Sequence, residues 1–600
     1  MVVCFERIKR AFKMTILAGG WFAENGKGKE KGRKREEKGK EKGMKEKASL
    51  GKQTFLLICL PLFCGWVMVA GCGDSGSGNN NESCEGCVES VTVDGVTFVF
   101  DKPRPVGTYA NGDYWVQAPV TLAGIEPEAE LSVVEGASDL CDGFSAGNEL
   151  CRQECESIAP SDHTARCSED NRCFCERGRN GWEVNPINPG GQGFDDRAGG
   201  FDSTLMPSLP YGAEGGQSIV KTISLQPEEE DPRPSLSRAA VLTVVDDVPP
   251  GQGEEVFRPP YVGDEKPLYR VDSLQTDQLP ALAAVEETPS LQWVVDRFRP
   301  LQLDHKGGRA NRYLHPEEHM PNYGCDIGRD IGDGALRLML DDLLDQKLEA
   351  LIVFVQMGID FYHSVLSGQT WPAGGGHQTG RKLGLVFAAV LLDHTEMKTV
   401  ASGSDFFEED TGVYFSQNAE MPLYGYDIFY WSEESYWSRL VDESGNKAHR
   451  DPYEWIDGGW LDGGNYQGIV SPTWKSEALA LYLMPALQTV WNDPVFLEYA
   501  DRWVNLGFWT QPDPCAPENG VWEDYGVVYG PDGNDSCIPD ADDGDGTGRF
   551  VDLHHTGEDG PNRRSAFAGH LWDAYRGPSC YDGLCEEGET SESCPYDCGD

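Results

Sequence analysis

Basic residues are in short supply: 50 lysines and arginines face 99 aspartates and glutamates, for a formal net charge of −49. A surface of that sign repels polyphosphates and anionic headgroups, which excludes nucleic acid as a partner and makes an anionic bilayer a poor one for the bulk surface. An apolar run of transmembrane length is lacking at the N-terminus, because Phe55 to Ala70 is shorter than the roughly 20 residues a span needs. Cysteine is missing between Cys175 and Cys515 apart from Cys325, so that region has to be held by its core.

What is present begins with a glycine-laced charged stretch, "GKGKEKGRKREEKGKEKG", which has nothing apolar to bury and cannot offset its ordering entropy. Residues 1–43 are therefore expected to be a disordered basic segment that precedes the real start at Met44. From Met44 a basic beginning, an apolar run and small residues lead to "VAGC" at Cys72, the order of parts in an exported leader. This resembles the bacterial lipobox, which implies that 44–71 is removed and that the Cys72 thiol is lipidated. The expected location is the cell envelope, with the chain anchored in the membrane through its lipid and facing the periplasm or the cell exterior. The alternative is a single membrane-spanning helix. Residues 1–43 carry 13 basic against 6 acidic residues and 44–71 three against one, so about 530 remaining residues stand at −58.

Nineteen cysteines fit an oxidising compartment. Fifteen remain after Cys4, Cys59, Cys64 and Cys72, so one is left over, and solitary Cys325 is the candidate. A polar tether over 72–90 includes Cys84 and Cys87 in "SCEGC", read as a local disulfide rather than a redox or metal pair. Over 91–248, short alternating runs such as "VTVDGVTFVFD" and "SRAAVLTVVDD" predict strands between Gly, Pro and Asp turns. Residues 249–305 form a proline-rich linker expected to pack along the next domain. Over 306–576, apolar residues recur at three and four spacing in "GALRLMLDDLLDQKLEALIVFVQMGIDFYHSVL" and three further segments. The expected fold is multidomain α+β: a β-sandwich-like domain with a stapled insert at 139–179, then an α-helical, α/α-toroid-like domain and a cysteine-rich motif at 577–600.

In the insert, Cys151 and Cys155 lie one helical turn apart, and Cys173 and Cys175 share one face of a strand. With Cys141 and Cys167, this spacing resembles the cysteine-stabilised αβ fold of invertebrate defensins and scorpion toxins. The resemblance implies bridges Cys141–Cys167, Cys151–Cys173 and Cys155–Cys175. Ala165 stands where that family usually has glycine. The segment is net acidic, which favours a structural or binding insert over a defence or toxin-like element.

The helical part offers His315, His319, Tyr323 and Asp326, then Gln356, Asp360, Tyr362 and His363. "WPAGGGHQTGRK" follows, where a glycine run next to His377, Gln378, Arg381 and Lys382 at a helix start favours a carboxylate or sulfate. Trp371, Tyr426, Tyr430, Trp431, Trp455 and Trp460 could stack on sugar rings or pack between helices. Together these features resemble the α/α-toroid polysaccharide lyases of the heparinase and alginate-lyase type; the body is also similar to uncharacterised secreted bacterial proteins. The resemblance implies His377 or His319 as base, Arg381 and Gln356 as carboxylate neutralisers, and Tyr362 or Tyr323 as acid. The alternatives are a glycosidase using Asp427 and Asp457, or a non-catalytic surface binding protein. Asp540, Asp542, Asp543 and Asp545 form a loop suited to Ca2+ or to solvent, closed by a Cys515–Cys537 bridge. Cys580, Cys585, Cys594 and Cys598 resemble short cysteine-rich repeats of secreted bacterial proteins; two disulfides are expected there, with four-cysteine zinc binding as the alternative.

Overall fold

A 13-residue strand, β2 (Val96–Thr108), organises the N-terminal half because its two ends pair with different neighbours. Its first residues pair with β4 (Val120–Glu126) and with β1 (Cys87–Val93), which pairs with it again at Arg104 and Pro105, and its last three pair with β3 (Tyr114–Gln117). The structure is a computed structural model and describes residues 86–135, 164–167, 173–187, 190–225, 234–307, 312–319, 324–373, 376–403, 406–416, 421–424, 465–507 and 565–576, with isolated residues between and after them. Cys72, Cys141, Cys151, Cys155, Tyr323, Tyr426, Tyr430, Trp431, Trp455, Trp460, Cys515, Cys537, Asp540, Asp542, Asp543, Asp545 and Cys580 lie outside the described residues.

The chain is a mix of helix and sheet, and the main sheet is a curled half-barrel. Three further strands complete one half of it, β8 (Trp182–Val184), β10 (Gln217–Ser224) and β11 (Leu236–Val245). The order runs β8-β10-β11-β3-β2-β4-β9, with β9 at Tyr211–Ala213 and β1 also on β2. Only β11 and β3 run parallel among these neighbours. Alternation puts Val91, Val93, Phe98 and Leu122 from one half into the same core as Ile219, Ala240 and Leu242 from the other. The opposite face of β10 and β11 is covered by Tyr261, Val262, Leu301 and Leu303 of the linker region.

A smaller three-stranded sheet holds β5 (Glu130–Glu135), β6 (Thr164–Cys167) and β7 (Cys173–Arg179), with β7 in the middle. Cys167 stands opposite Cys173, and Cys175 opposite Ala165. Toward the C-terminus Cys585 is bridged to Cys598, and Cys325 is a buried thiol.

The helical core centres on α3 (Leu344–Leu366), which follows α1 (Leu291–Phe298) and α2 (Cys325–Leu338). The apolar pattern that runs on from 334 to 366 breaks at 339–343, where Lys347 Nζ takes the ending carbonyls of Leu338 and Leu340. Helix α3 is long and apolar enough to cross a membrane, but 83% of its apolar window is buried inside the protein, which makes it a core helix. It crosses α4 (Arg381–Leu391) at a glycine contact. A Cβ on Gly358 would come within 2.4 Å of the Gly384 carbonyl oxygen and 2.5 Å of the Ala388 Cβ. Gly358→Ala is therefore expected to destabilise the chain by about 1–3 kcal/mol through overpacking, read as a lower urea midpoint with unchanged slope.

Candidate functional site

The linker residues 257–270 form a strap over the C-terminal half of α3, and the strap meets that helix on two faces. Residues Gln356 and Asp360, one turn apart, share one face. There Arg258, only 1% exposed, donates from Nε to Asp113 Oδ2 at 2.6 Å and from Nη2 to Asp360 Oδ2 at 2.5 Å. Its Nη1 donates to the Pro259 carbonyl, and its own carbonyl accepts from Gln356 Nε2 at 3.1 Å. Burial pushes the carboxyls of Asp113 and Asp360 up, while Arg258 pulls both down. Tyr261 follows on the strap, its hydroxyl 3.2 Å from His305 Nδ1.

On the other face four rings form a closed cycle, alternating phenol and imidazole. Tyr269 lies 6.1 Å from His363, which lies 4.9 Å from Tyr362, which lies 5.8 Å from His394, which lies 5.5 Å from Tyr269. His394 precedes helix α5 (Thr395–Ala401) and caps it, its Nδ1 accepting from Met397 N. The Tyr269 hydroxyl and His363 Nε2 share a hydrogen bond of 3.0 Å. Burial, aided by Lys266 and His394, lowers His363 to about 4, so its imidazole is neutral at ordinary pH. Burial, then Glu396 and Glu265, raises Tyr362 to about 12 and keeps it a phenol. Lys266 stands between the two faces, with Nζ donating to the carbonyls of Pro260 and Val262. Burial, then the charge of Arg258, lowers it to about 7.

The glycine loop is arranged differently from an open anion slot. Three backbone donors of its described residues are taken by the chain's own carboxylates: Glu408 accepts from Gly376 N and Gln378 N at 2.8 Å each, and Glu409 accepts from Gly380 N at 2.5 Å. Arg381 is fully buried and reaches Asp304 with two donors, at 3.1 and 3.2 Å, and the Thr379 carbonyl with a third. Lys382 pairs with Asp410 and lies 4.4 Å over the Trp491 ring.

Among the sequence candidates, Arg381 donates to the carbonyl of half-buried His377 at 3.4 Å and, through Asp304, touches His315. His319 packs beside His315 and is held well below the ordinary histidine range by burial and by that neighbour. Gln356 shares a recess with Asp304, whereas Tyr362 belongs to the ring cycle. Trp371 is fully buried and stacked on Phe407, so it packs the core and offers no face to a sugar. Asp457 accepts from Arg502, Tyr424 N and Trp509 N, a structural hub rather than an exposed carboxylate. Sequence reasoning missed Tyr269, His394, Lys266, Arg258 and Asp304; all five lie on the linker or in a helix cap, where no periodicity marks them. No family model matches the chain, and no curated protein and no solved structure is similar to it.

Burial also lowers His305 to about 3. The unfolded chain protonates near the ordinary histidine value of about 6.5, so this residue's contribution is present above that pH and lost as pH falls toward the folded value. His305→Phe should therefore lose less stability than the wild type between pH 6.5 and 4, seen as converging or crossing Tm curves in a pH series.

Proposed function

We propose that the chain is a lipid-anchored cell-surface protein, held through Cys72, that binds an extracellular acidic polysaccharide and cleaves it by β-elimination, its helices arranged after the manner of an α/α toroid. One observation carries the reading: the ring cycle of Tyr269, His363, Tyr362 and His394 puts a neutral imidazole beside protonated phenols. That reaction needs a group to take the proton next to the sugar carboxylate, a group to protonate the leaving oxygen, and a positive charge to hold the carboxylate. His363 serves as acceptor, Tyr362 as donor, and Lys266 as the nearby cation. This assignment replaces Arg381 as neutraliser, because its donors are spent on Asp304 and backbone carbonyls. A second reading, binding without cleavage, is favoured by the same closure of the glycine loop by Glu408 and Glu409.

The full chain, incubated with a panel of acidic polysaccharides, should generate the ultraviolet absorbance of an unsaturated product. His363→Ala and Tyr362→Phe should each lower that rate by about 10²–10⁴-fold. His363 must be neutral and Lys266 charged, so the rate should be bell-shaped, rising through about 4 and falling through about 7. Binding without absorbance would select the second reading, and absence of both would remove the polysaccharide altogether.

A further inference from the structure

The recess on the Arg258 side of α3 has an acceptor surplus that no donor among the described residues meets. It is lined by Gln302, Gln356 and Asp360, together with Arg258, Arg299 and Asp304. Gln302, Gln356 and Asp360 are 7%, 4% and 8% exposed. Each has one side-chain oxygen, Gln302 Oε1, Gln356 Oε1 and Asp360 Oδ1, without a hydrogen-bond partner among the described residues. Three buried orphan acceptors in one recess call for an occupant that offers positive charge or protons.

Size and charge narrow the occupant. The free space holds something no larger than a water molecule, which excludes a sugar ring. Around it Asp94 pairs with Arg299, Asp113 with Arg258 and Asp304 with Arg381. Asp360 shares the guanidinium already engaged by Asp113, so four carboxylates face three guanidinium groups. His315, beside Asp304, and Lys266, which lies in the field of Asp360, are both pushed down by burial, Lys266 to about 7, so neither adds much positive charge at pH 8. The surplus is one negative charge in a buried place, and an unpaired buried charge is costly. A carboxylate oxygen with two amide oxygens is a hard donor set.

We propose that this recess binds one small monovalent cation, of sodium size, through Gln302 Oε1, Gln356 Oε1 and Asp360 Oδ1. A divalent ion would overshoot the surplus by one charge. The ion completes the junction between the strap and α3, independently of whether the ring cycle acts on a polysaccharide.

The test is the Tm of the full chain at pH 8, titrated with sodium chloride against choline chloride at equal ionic strength. Sodium should give a saturable rise of about 2 °C that choline does not. Gln302→Met and Gln356→Met remove one oxygen each and leave both Arg258 ion pairs in place, so either should abolish the sodium-specific rise. Two variants are used because Gln356 also holds the Arg258 carbonyl; whichever folds decides. Equal responses to sodium and choline, an undiminished sodium response in the variants, or a stronger response to calcium than to sodium would each overturn the proposal.

Discussion

Arg258 is the fastening on which the arrangement depends. Asp113 belongs to the turn between β2 and β3 and Asp360 to the central helix, so one buried guanidinium ties the sheet to the helical core. Removing one member of such a set leaves charge stranded in a low dielectric, at about 3–5 kcal/mol. The same residue fixes the strap, because its carbonyl is held by Gln356 and the next residues carry Tyr261 into the apolar cover of β10 and β11. Phe257, immediately before it, enters the helical core. A six-residue stretch, Phe257 and Arg258 followed by two prolines, Tyr261 and Val262, therefore anchors in two cores and one ion network.

The glycine loop illustrates how an internal ligand can take the place of an external one. A run of glycines before a helix bares backbone N–H groups and favours an anion. Here the anions are Glu408 and Glu409, about thirty residues downstream. Thr379, inside the loop, also donates toward Glu409 and Glu477, and burial raises both carboxyls. The donors fix the start of α4, so the loop's chemistry is spent on folding.

Much of the helical part was legible in the sequence because periodicity depends only on local burial: α4 and α6 (Pro494–Leu506) lie within segments of three and four spacing, whereas the run from 334 to 366 is broken at 339–343 into α2 and α3. The alternating strands were legible for the same reason, and so was the strand that carries Cys173 and Cys175. The partner of each polar group was not. Nothing local tells that Arg381 will find Asp304, 77 residues earlier, or that Tyr269 will meet His363, 94 residues later. Trp371 looked like a sugar platform because an aromatic beside glycines has the same composition whether it faces water or Phe407. The linker was expected to pack along the next domain, whereas Tyr261, Val262, Leu301 and Leu303 cover β10 and β11, and its polar residues carried no periodic mark of which face they would occupy.

The two faces of α3 are physically linked through Lys266. On the inner face, carboxylates outnumber guanidinium groups around a buried recess; on the outer face, imidazoles and phenols are kept uncharged by burial. Lys266 lies within the field of both, lowered by its own burial, lowered further by Arg258, and partly restored by Asp360. Its charge in turn helps keep His363 neutral. A change in the charge of the inner recess, through a proton or a cation at Asp360, therefore reaches the outer rings through one ammonium group. The proton affinities of the ring cycle are set in part by an ion network on the other side of the helix.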